Sequence, residues 1–308
     1  MANINPATSA ATASDIAVAR AKSDASVTRR RRNTRKLIGA TLTHIILIFA
    51  SIVLVFPVLW VVSLSFKKQG EWFTINPSLI PHDPTLQNYV QAITGAPFLT
   101  WLWNSVAVAL GTTLVGLLIA LPAGYALSRF EFLGKQGMLL SFLVTQMFPG
   151  ALLLVPLYNI FLNLRLLNNP YALIIAYATT ALPFTVYMLK NFFDAIPQEL
   201  DQAGLVDGLS TFGVFWRIVA PLTLPGIAVA SFFNFMTAWN EFMLARAFLT
   251  DNNALTLPVG LYTWVNQFEK IWGPLAATSV LITIPVFIMF IFAQRYLITG
   301  LTGGSVKG

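Results

Sequence analysis

The chain has 308 residues, of which 56% are hydrophobic and 10% charged, with no cysteine and two histidines, His44 and His82. A soluble domain carries about 25% charged residues, so this composition excludes a water-exposed globule, and the lack of cysteine excludes disulfides, thiolate metal sites and cysteine nucleophiles. The net charge of +7 is concentrated at the N-terminus, where eight of the 19 basic residues precede residue 37, which marks a membrane anchor and not a nucleic-acid surface.

Residues 1–36 are rich in Ala, Ser and Thr and carry no cleavage site after a short apolar core. They read as a disordered basic cytoplasmic tail and not as a signal peptide. Arg29-Arg30-Arg31-Arg32 and Arg35-Lys36 then directly precede an apolar run. A charge at the bilayer centre costs about 2.5–3.5 kcal/mol, and a crossing helix needs about 20 apolar residues. The charge-free runs 37–66, 84–128, 136–164, 166–189, 218–240 and 271–294 therefore predict six spans in an all-α membrane protein. The second run begins with a polar stretch broken by Gly95 and Pro97, so only about 102–127 crosses there. The uncharged run 252–268 holds Asn252, Asn253, Pro258, Gly260, Asn266 and Gln267 and is rejected as a span.

Six spans put both termini on one side. With the N-terminus inside, the inner segments hold 14 basic residues and the outer ones hold 5, namely Lys67, Lys68, Arg165, Arg246 and Lys270. That bias fits cytoplasmic termini. Gly116, Ala120 and Gly124 recur every four residues, a small face that lets another helix approach closely. Pro122, Pro149, Pro156, Pro183, Pro225 and Pro285 lie in or near spans. They read as ordinary kinks, with broken helices lining a path as the alternative. Glu241 sits near the outer end of the fifth span. A local pair with Arg246, or an outer-surface position, is favoured over proton coupling.

The longest inner loop, 194–217, carries the most information. Pro197 suits a first helical turn, and Glu199 and Asp201 favour the positive end of the helix dipole. Leu200, Ala203, Asp207 and Ser210 follow one row, and Leu205, Leu209 and Phe212 another. Gly208 is placed to bend or end the helix, with a second short helix after Ser210. An amphipathic helix–turn–helix results. It lacks the Lys and Arg that interfacial helices favour, so a protein partner fits it better than a lipid surface.

Ile196-Pro197-x-Glu199-Leu200-x-x-Ala203-x-x-x-Asp207-Gly208, followed by Ile218-Val219-x-Pro221-Leu222 and Pro225, resembles the EAA loop of ATP-binding-cassette (ABC) importer permeases. The resemblance covers the chain from about residue 37 to the end. It implies the type I ABC importer permease fold over 37–300, in a bacterial cytoplasmic (inner) membrane. It also implies a coupling helix that docks in a cleft of a separate ATPase through Glu199, Gln202, Ala203, Gly204, Asp207 and Gly208. The chain departs from the motif at three positions. Gln202 replaces the usual Glu, Gly204 the second Ala, and Leu209 a small residue.

Gln294-Arg295-Tyr296-Leu297 and the segment from Gly300 to Gly308 are similar to the tail of MalG-type subunits of maltose and maltodextrin importers. The resemblance implies that a cytoplasmic tail, 301–308, with Gly303, Gly304, Val306 and Lys307, reaches toward the ATPase. It implies further that the outer loop 247–273, with Pro258, Trp264 and Trp272, faces an extracytoplasmic sugar-binding protein. An interfacial aromatic anchor is the competing reading of either Trp. The implied partners are a second, MalF-like permease, an ATP-binding subunit dimer and that binding protein. No cofactor is expected on this chain. ATP and magnesium belong at the partner ATPase, since no G-x-x-x-x-G-K-[ST] run is present. The expected function is ATP-driven sugar import by alternating access, with an ion-gradient-driven transporter as the alternative. A membrane-embedded enzyme is disfavoured, because no catalytic side chains cluster in the spans.

Overall fold

The computed structural model describes residues 39–72, 74–267 and 272–303. It divides into two compact units, residues 1–60 and 61–308. The tail expected over 1–36 and the residues Gly304, Val306 and Lys307 lie outside the described residues. All regular structure among the described residues is helical.

Most of the helix α1 (Gly39–Ser65) makes up the described part of the first unit. The second unit holds α2 (Gln87–Thr94), α3 (Phe98–Arg129), α4 (Lys135–Met147), α5 (Gly150–Asn163) and α6 (Ala172–Asp194). There follow α7 (Glu199–Val206), α8 (Thr211–Leu222), α9 (Leu224–Asn240), α10 (Met243–Phe248), α11 (Leu257–Gln267) and α12 (Trp272–Gly303). Four helices, α1, α3, α6 and α12, are each long and apolar enough to cross a bilayer. The count rises to six if the bent pairs α4–α5 and α8–α9 each form one span.

The runs 136–164 and 218–240 were each expected as one span with ordinary proline kinks, and the bends found are sharper. α4 and α5 meet at 99°, with Pro149 capping α5. The residue before a proline is pushed out of the helical region, and Phe148 is accordingly extended, at φ −74° and ψ 127°. α8 and α9 meet at 79°, with Pro225 in the first turn of α9, where its missing N–H leaves no bond unmade. Pro122, Pro156, Pro183 and Pro285 instead lie inside unbroken helices. The prolines therefore mark a bend at two positions and are absorbed within a helix at the other four.

α3 lies at the centre of the second unit, packed on α6 and α9, while α9 also meets α12. The small face of α3 makes this possible. A Cβ on Gly124 would stand 3.2 Å from the Lys190 nitrogen and 3.3 Å from the Val186 oxygen, so helix backbones are nearly in contact. A Cβ on Gly116 would stand 3.0 Å from Oδ1 of Asn234, a fully buried side chain on α9. Asn234 is satisfied by a bond from Thr185 Oγ1 of α6 (3.2 Å) and by donating to the Ala230 carbonyl (2.9 Å). Two apolar clusters result. One, with Trp101, Tyr177, Phe235 and Phe248, surrounds the α10–α11 connection. The other, with Tyr125, Phe193 and Phe215, lies beside the 194–217 loop.

Residues 66–97 fold over the start of α12. The buried Asn88 of α2 donates to the carbonyls of Ser65 (2.9 Å) and Lys67 (2.8 Å), and a Cβ on Gly273 would run into its amide. Overpacking a tight contact costs about 1–3 kcal/mol and more where backbone is the obstacle. Gly124→Leu is expected to lower the thermal unfolding temperature of the detergent-solubilised protein sharply. Gly137→Leu, whose Cβ meets nothing within 4 Å, is expected to leave it unchanged.

Candidate partner-docking site

The 194–217 loop forms the expected helix–turn–helix. α7 ends in a Schellman motif: the N–H of Leu209 bonds the Gly204 carbonyl (3.0 Å), and that of Gly208 bonds the Leu205 carbonyl (3.1 Å). The motif needs a left-handed residue, and Gly208 supplies it at φ +84°. α8 then begins with a proper cap, Ser210 Oγ accepting from the Gly213 N–H at 3.2 Å. Within α8 the stretch Phe215–Val219 is wound as a π-helix.

Gly204, one of the departures from the motif, has a steric reason. It is buried, and a Cβ there would lie 2.6 Å from Cδ1 of Ile218 and 2.9 Å from Cγ2 of Val214. Cδ1 of Leu209, a second departure, would stand 3.6 Å away. The larger side chain at 209 thus helps fill the space that a residue larger than glycine would take at 204. Glu199, Gln202, Ala203, Asp207 and Gly208 are all exposed. Beside them stand apolar side chains facing outward, with Val206 87% and Phe212 72% exposed and Leu205 and Trp216 about half so. The predicted site residues of this loop therefore gather on one surface, except Gly204, which forms its floor.

What holds this surface in place was not legible in the sequence. The last turn of α3 grips the loop from inside. Arg129 pairs with Asp201 of α7 at 3.1 Å, with both side chains largely buried. The same guanidinium donates to the Ile196 carbonyl (3.0 Å), and Tyr125 Oη donates to Asp201 Oδ1 (2.7 Å). Ser128 Oγ donates to Asp194 Oδ1 (2.7 Å), and Asp194 also pairs with Lys190. The Tyr125 ring packs against Phe215 and Phe193, with centroids 4.9 and 5.8 Å away. Arg129 and Asp201 are 72 residues apart, and no local pattern announces such a pairing.

The 247–273 region differs from the irregular loop expected. α10 and α11 occupy much of it, and the connection between them is tied down. Trp101 Nε1 donates to the Asn252 carbonyl (2.7 Å), Asn104 Nδ2 to those of Asn253 (3.0 Å) and Leu255 (2.9 Å), and Ser105 Oγ accepts from the Leu257 N–H (2.7 Å). Asn168 Oδ1 accepts from the N–H groups of Thr250 (2.6 Å) and Asp251 (3.1 Å). Pro258 lies half-buried in the first turn of α11, and Trp272 opens α12 with a half-exposed side chain. The Trp264 side chain lies outside the described residues. α12 continues as helix through Gly303, so the first residues of the expected tail prolong it.

For Glu241, one of the two expected readings, the local pair with Arg246, is not what the structure shows. Among the described residues it forms no pair with Arg246. Its carboxylate instead caps α10, accepting from the N–H groups of Leu244 (2.8 Å) and Ala245 (3.1 Å), and takes a further bond from Tyr177 Oη (2.6 Å). An acid at the start of a helix satisfies orphan donors and the dipole together.

Comparison with known proteins matches this architecture. The family model described as "Binding-protein-dependent transport system inner membrane component" covers residues 113–302. The diacetylchitobiose uptake system permease protein DasC of Streptomyces coelicolor is 35% identical over 274 residues, 89% of this chain and 99% of that protein. The maltose/maltodextrin transport system permease protein MalG of Vibrio vulnificus is 35% identical over 285 residues, 86% and 95% of the two chains. A chain in the crystal structure of a bacterial ABC transporter that imports the acidic polysaccharide alginate superposes with a TM-score of 0.75, at 20% identity, over 84% of this chain and 96% of that one. The fold is that of type I ABC importer permeases, and the chain belongs to the binding-protein-dependent transport system inner membrane components, as a multi-pass permease of the bacterial inner membrane.

Proposed function

We infer that this permease imports a sugar of the disaccharide or short oligosaccharide class, driven by a separate ATPase that docks on α7 and α8. Membership of the family and the sugars named for the relatives, diacetylchitobiose and maltose or maltodextrin, support the substrate class. The observation that carries the docking role is the surface around α7. Val206 and Phe212 stand exposed beside Glu199 and Asp207, on a turn whose other side is fixed by a buried ion pair. An exposed apolar patch rimmed by polar groups marks a protein interface. The excess of basic residues on the same side, including the N-terminal arginines, supports a cytoplasmic position for this loop and for both termini.

The chain's own task in the cycle is mechanical. Closure of the partner's nucleotide-binding dimer displaces α7. The displacement shifts the bundle, and the path opens toward the sugar-binding protein on the opposite face. Hydrolysis, with its ATP and magnesium, takes place on the partner. A second permease completes the path, and a MalF-like chain is the expected form. The C-terminal residues Gly303, Gly304, Val306 and Lys307 are proposed to reach the ATPase, and the region of Pro258, Trp264 and Trp272 to meet the binding protein. For either conformation to be selected, each partner must bind one state better than the other.

Sugar uptake by cells whose proton and sodium gradients are collapsed while ATP is preserved tests the energy source. Uptake is expected to continue, and its loss would point to a gradient-driven transporter, in which Glu241 would have to be a free proton carrier and not a helix cap. The turn gives a second test. A left-handed conformation costs an ordinary residue about 1–2 kcal/mol, and less for Asn. Gly208 has open space around its Cα, so backbone strain alone decides the outcome. Gly208→Val is expected to abolish most sugar-stimulated ATP hydrolysis and uptake, while Gly208→Asn retains most of both. Equal activity in the two variants would contradict the role of this turn.

A further inference from the structure

We propose that Arg129, Asp201 and Tyr125 form the linkage through which displacement of α7 enters the membrane-spanning bundle, with Arg129 acting as a positioning residue for coupling. The proposal rests on the docking role of α7 given above.

The outer side of α7 is exposed, and its floor, Gly204, touches Val214 and Ile218 within the same loop. Its bond to a spanning helix comes from Asp201. That carboxylate accepts on Oδ1 from Nε of Arg129 (3.3 Å) and from Tyr125 Oη (2.7 Å), and its Oδ2 lies 3.1 Å from Nη2 as an ion pair. The planar guanidinium thus meets the carboxylate through one charge-assisted hydrogen bond and one ion-pair contact, and Tyr125 adds a second hydrogen bond on the same oxygen. The third contact, from Nη2 to the Ile196 carbonyl, ties the entry of the loop to the same group. A push on α7 therefore reaches α3 through a short, buried and directional connection.

α3 is suited to carry it further. It runs unbroken for 32 residues, about 48 Å at 1.5 Å per residue. Its far end holds the α10–α11 connection through Trp101, Asn104 and Ser105. One helix thus grips the coupling loop at one end and the opposite-face connection at the other. α6 meets the loop through chain continuity and the apolar contact of Phe193 with Phe215, while its Asp194 pairs with its own Lys190 and accepts from Ser128 of α3.

The test uses the whole importer in proteoliposomes and reads sugar molecules delivered per ATP hydrolysed. Arg129→Lys keeps the charge and removes the planar guanidinium that bonds both Asp201 and the Ile196 carbonyl, and Asp201→Asn keeps the shape and removes the charge. Both are expected to retain the co-purifying ATPase while the ratio falls at least about fivefold, the lower end of measured coupling energies. Tyr125→Phe is expected to give a smaller fall. A purely structural role would lower yield and thermal stability and leave the ratio in the surviving complex at the wild-type value, which would overturn the proposal.

The absence of native cysteine allows a second measurement, with cysteine-free partners. In Arg129→Cys/Asp201→Cys, a short bifunctional maleimide is expected to restore the ratio that the uncrosslinked protein has lost. No recovery in fully crosslinked protein would count against the linkage. If the unmutated chain brings down no ATPase, the docking reading falls and the linkage with it. Intact coupling in all the variants sinks the linkage alone.

Discussion

At Gly124 the backbone of α3 comes within van der Waals reach of the backbone of α6, and much of the second unit is arranged around that approach. Lipid offers no hydrophobic drive to bring helices together, so close packing and satisfied polar groups must do it. Glycine at 116 and 124 permits both. At 124 it lets two backbones meet, and at 116 it leaves room for the buried Asn234 amide, which Thr185 joins from the third helix. With α3, α6 and α9 held together in this way, the last turn of α3 stands over the 194–217 loop and its first turns over the α10–α11 connection. The ion pair to Asp201 and the bonds to residues 252–257 depend on that placement.

The same constraint decides what the breaks in the helices mean. Proline inside α3, α5, α6 and α12 is absorbed without breaking the helix, but the junctions at Pro149 and before Pro225 bend by 99° and 79°. The second bend comes shortly after the 194–217 loop, so α8 leaves that loop at an angle to α9. α8 also contains a π-helical stretch, Phe215–Val219, a winding that is rare and found mostly at functional positions. The exposed face of α7 is thus backed on its inner side by the contacts of Asp201 and Gly204, and α8 is joined to α9 through a bent connection.

Much of this was readable from residue type and spacing. Charge exclusion located the apolar segments, because an unpaired charge in lipid is expensive wherever it falls. Pro197, Gly208 and Ser210 announced a helix, a left-handed stop and a restart, and each acts through its own backbone. Gly116 and Gly124 announced a close contact for the same reason. The partner of each group was not readable. A pair with Arg246 was one reading of Glu241, from proximity in sequence, yet its carboxylate is taken by the N–H groups of α10 and by Tyr177, 64 residues away. The run 247–273 resembled a free loop because Asn252, Asn253, Pro258, Gly260, Asn266 and Gln267 interrupt its apolar sequence. Its carbonyls and N–H groups are satisfied by Trp101, Asn104, Ser105 and Asn168, whose positions only the fold reveals. The same limit hid Arg129: a charge closing a span reads as an anchor at the membrane surface, and its pairing with Asp201 needs the tertiary arrangement.

The proposed function requires that the exposed face of α7 and α8 be a seat for an ATPase subunit. The most direct measurement is the composition of the complex that this chain forms in native membranes, solubilised in mild detergent and captured through a tag, with every co-purifying chain identified and its stoichiometry determined. A second permease with two copies of an ATP-binding subunit is the predicted result. Recovery of the chain alone or as a homo-oligomer, in several detergents, would contradict it.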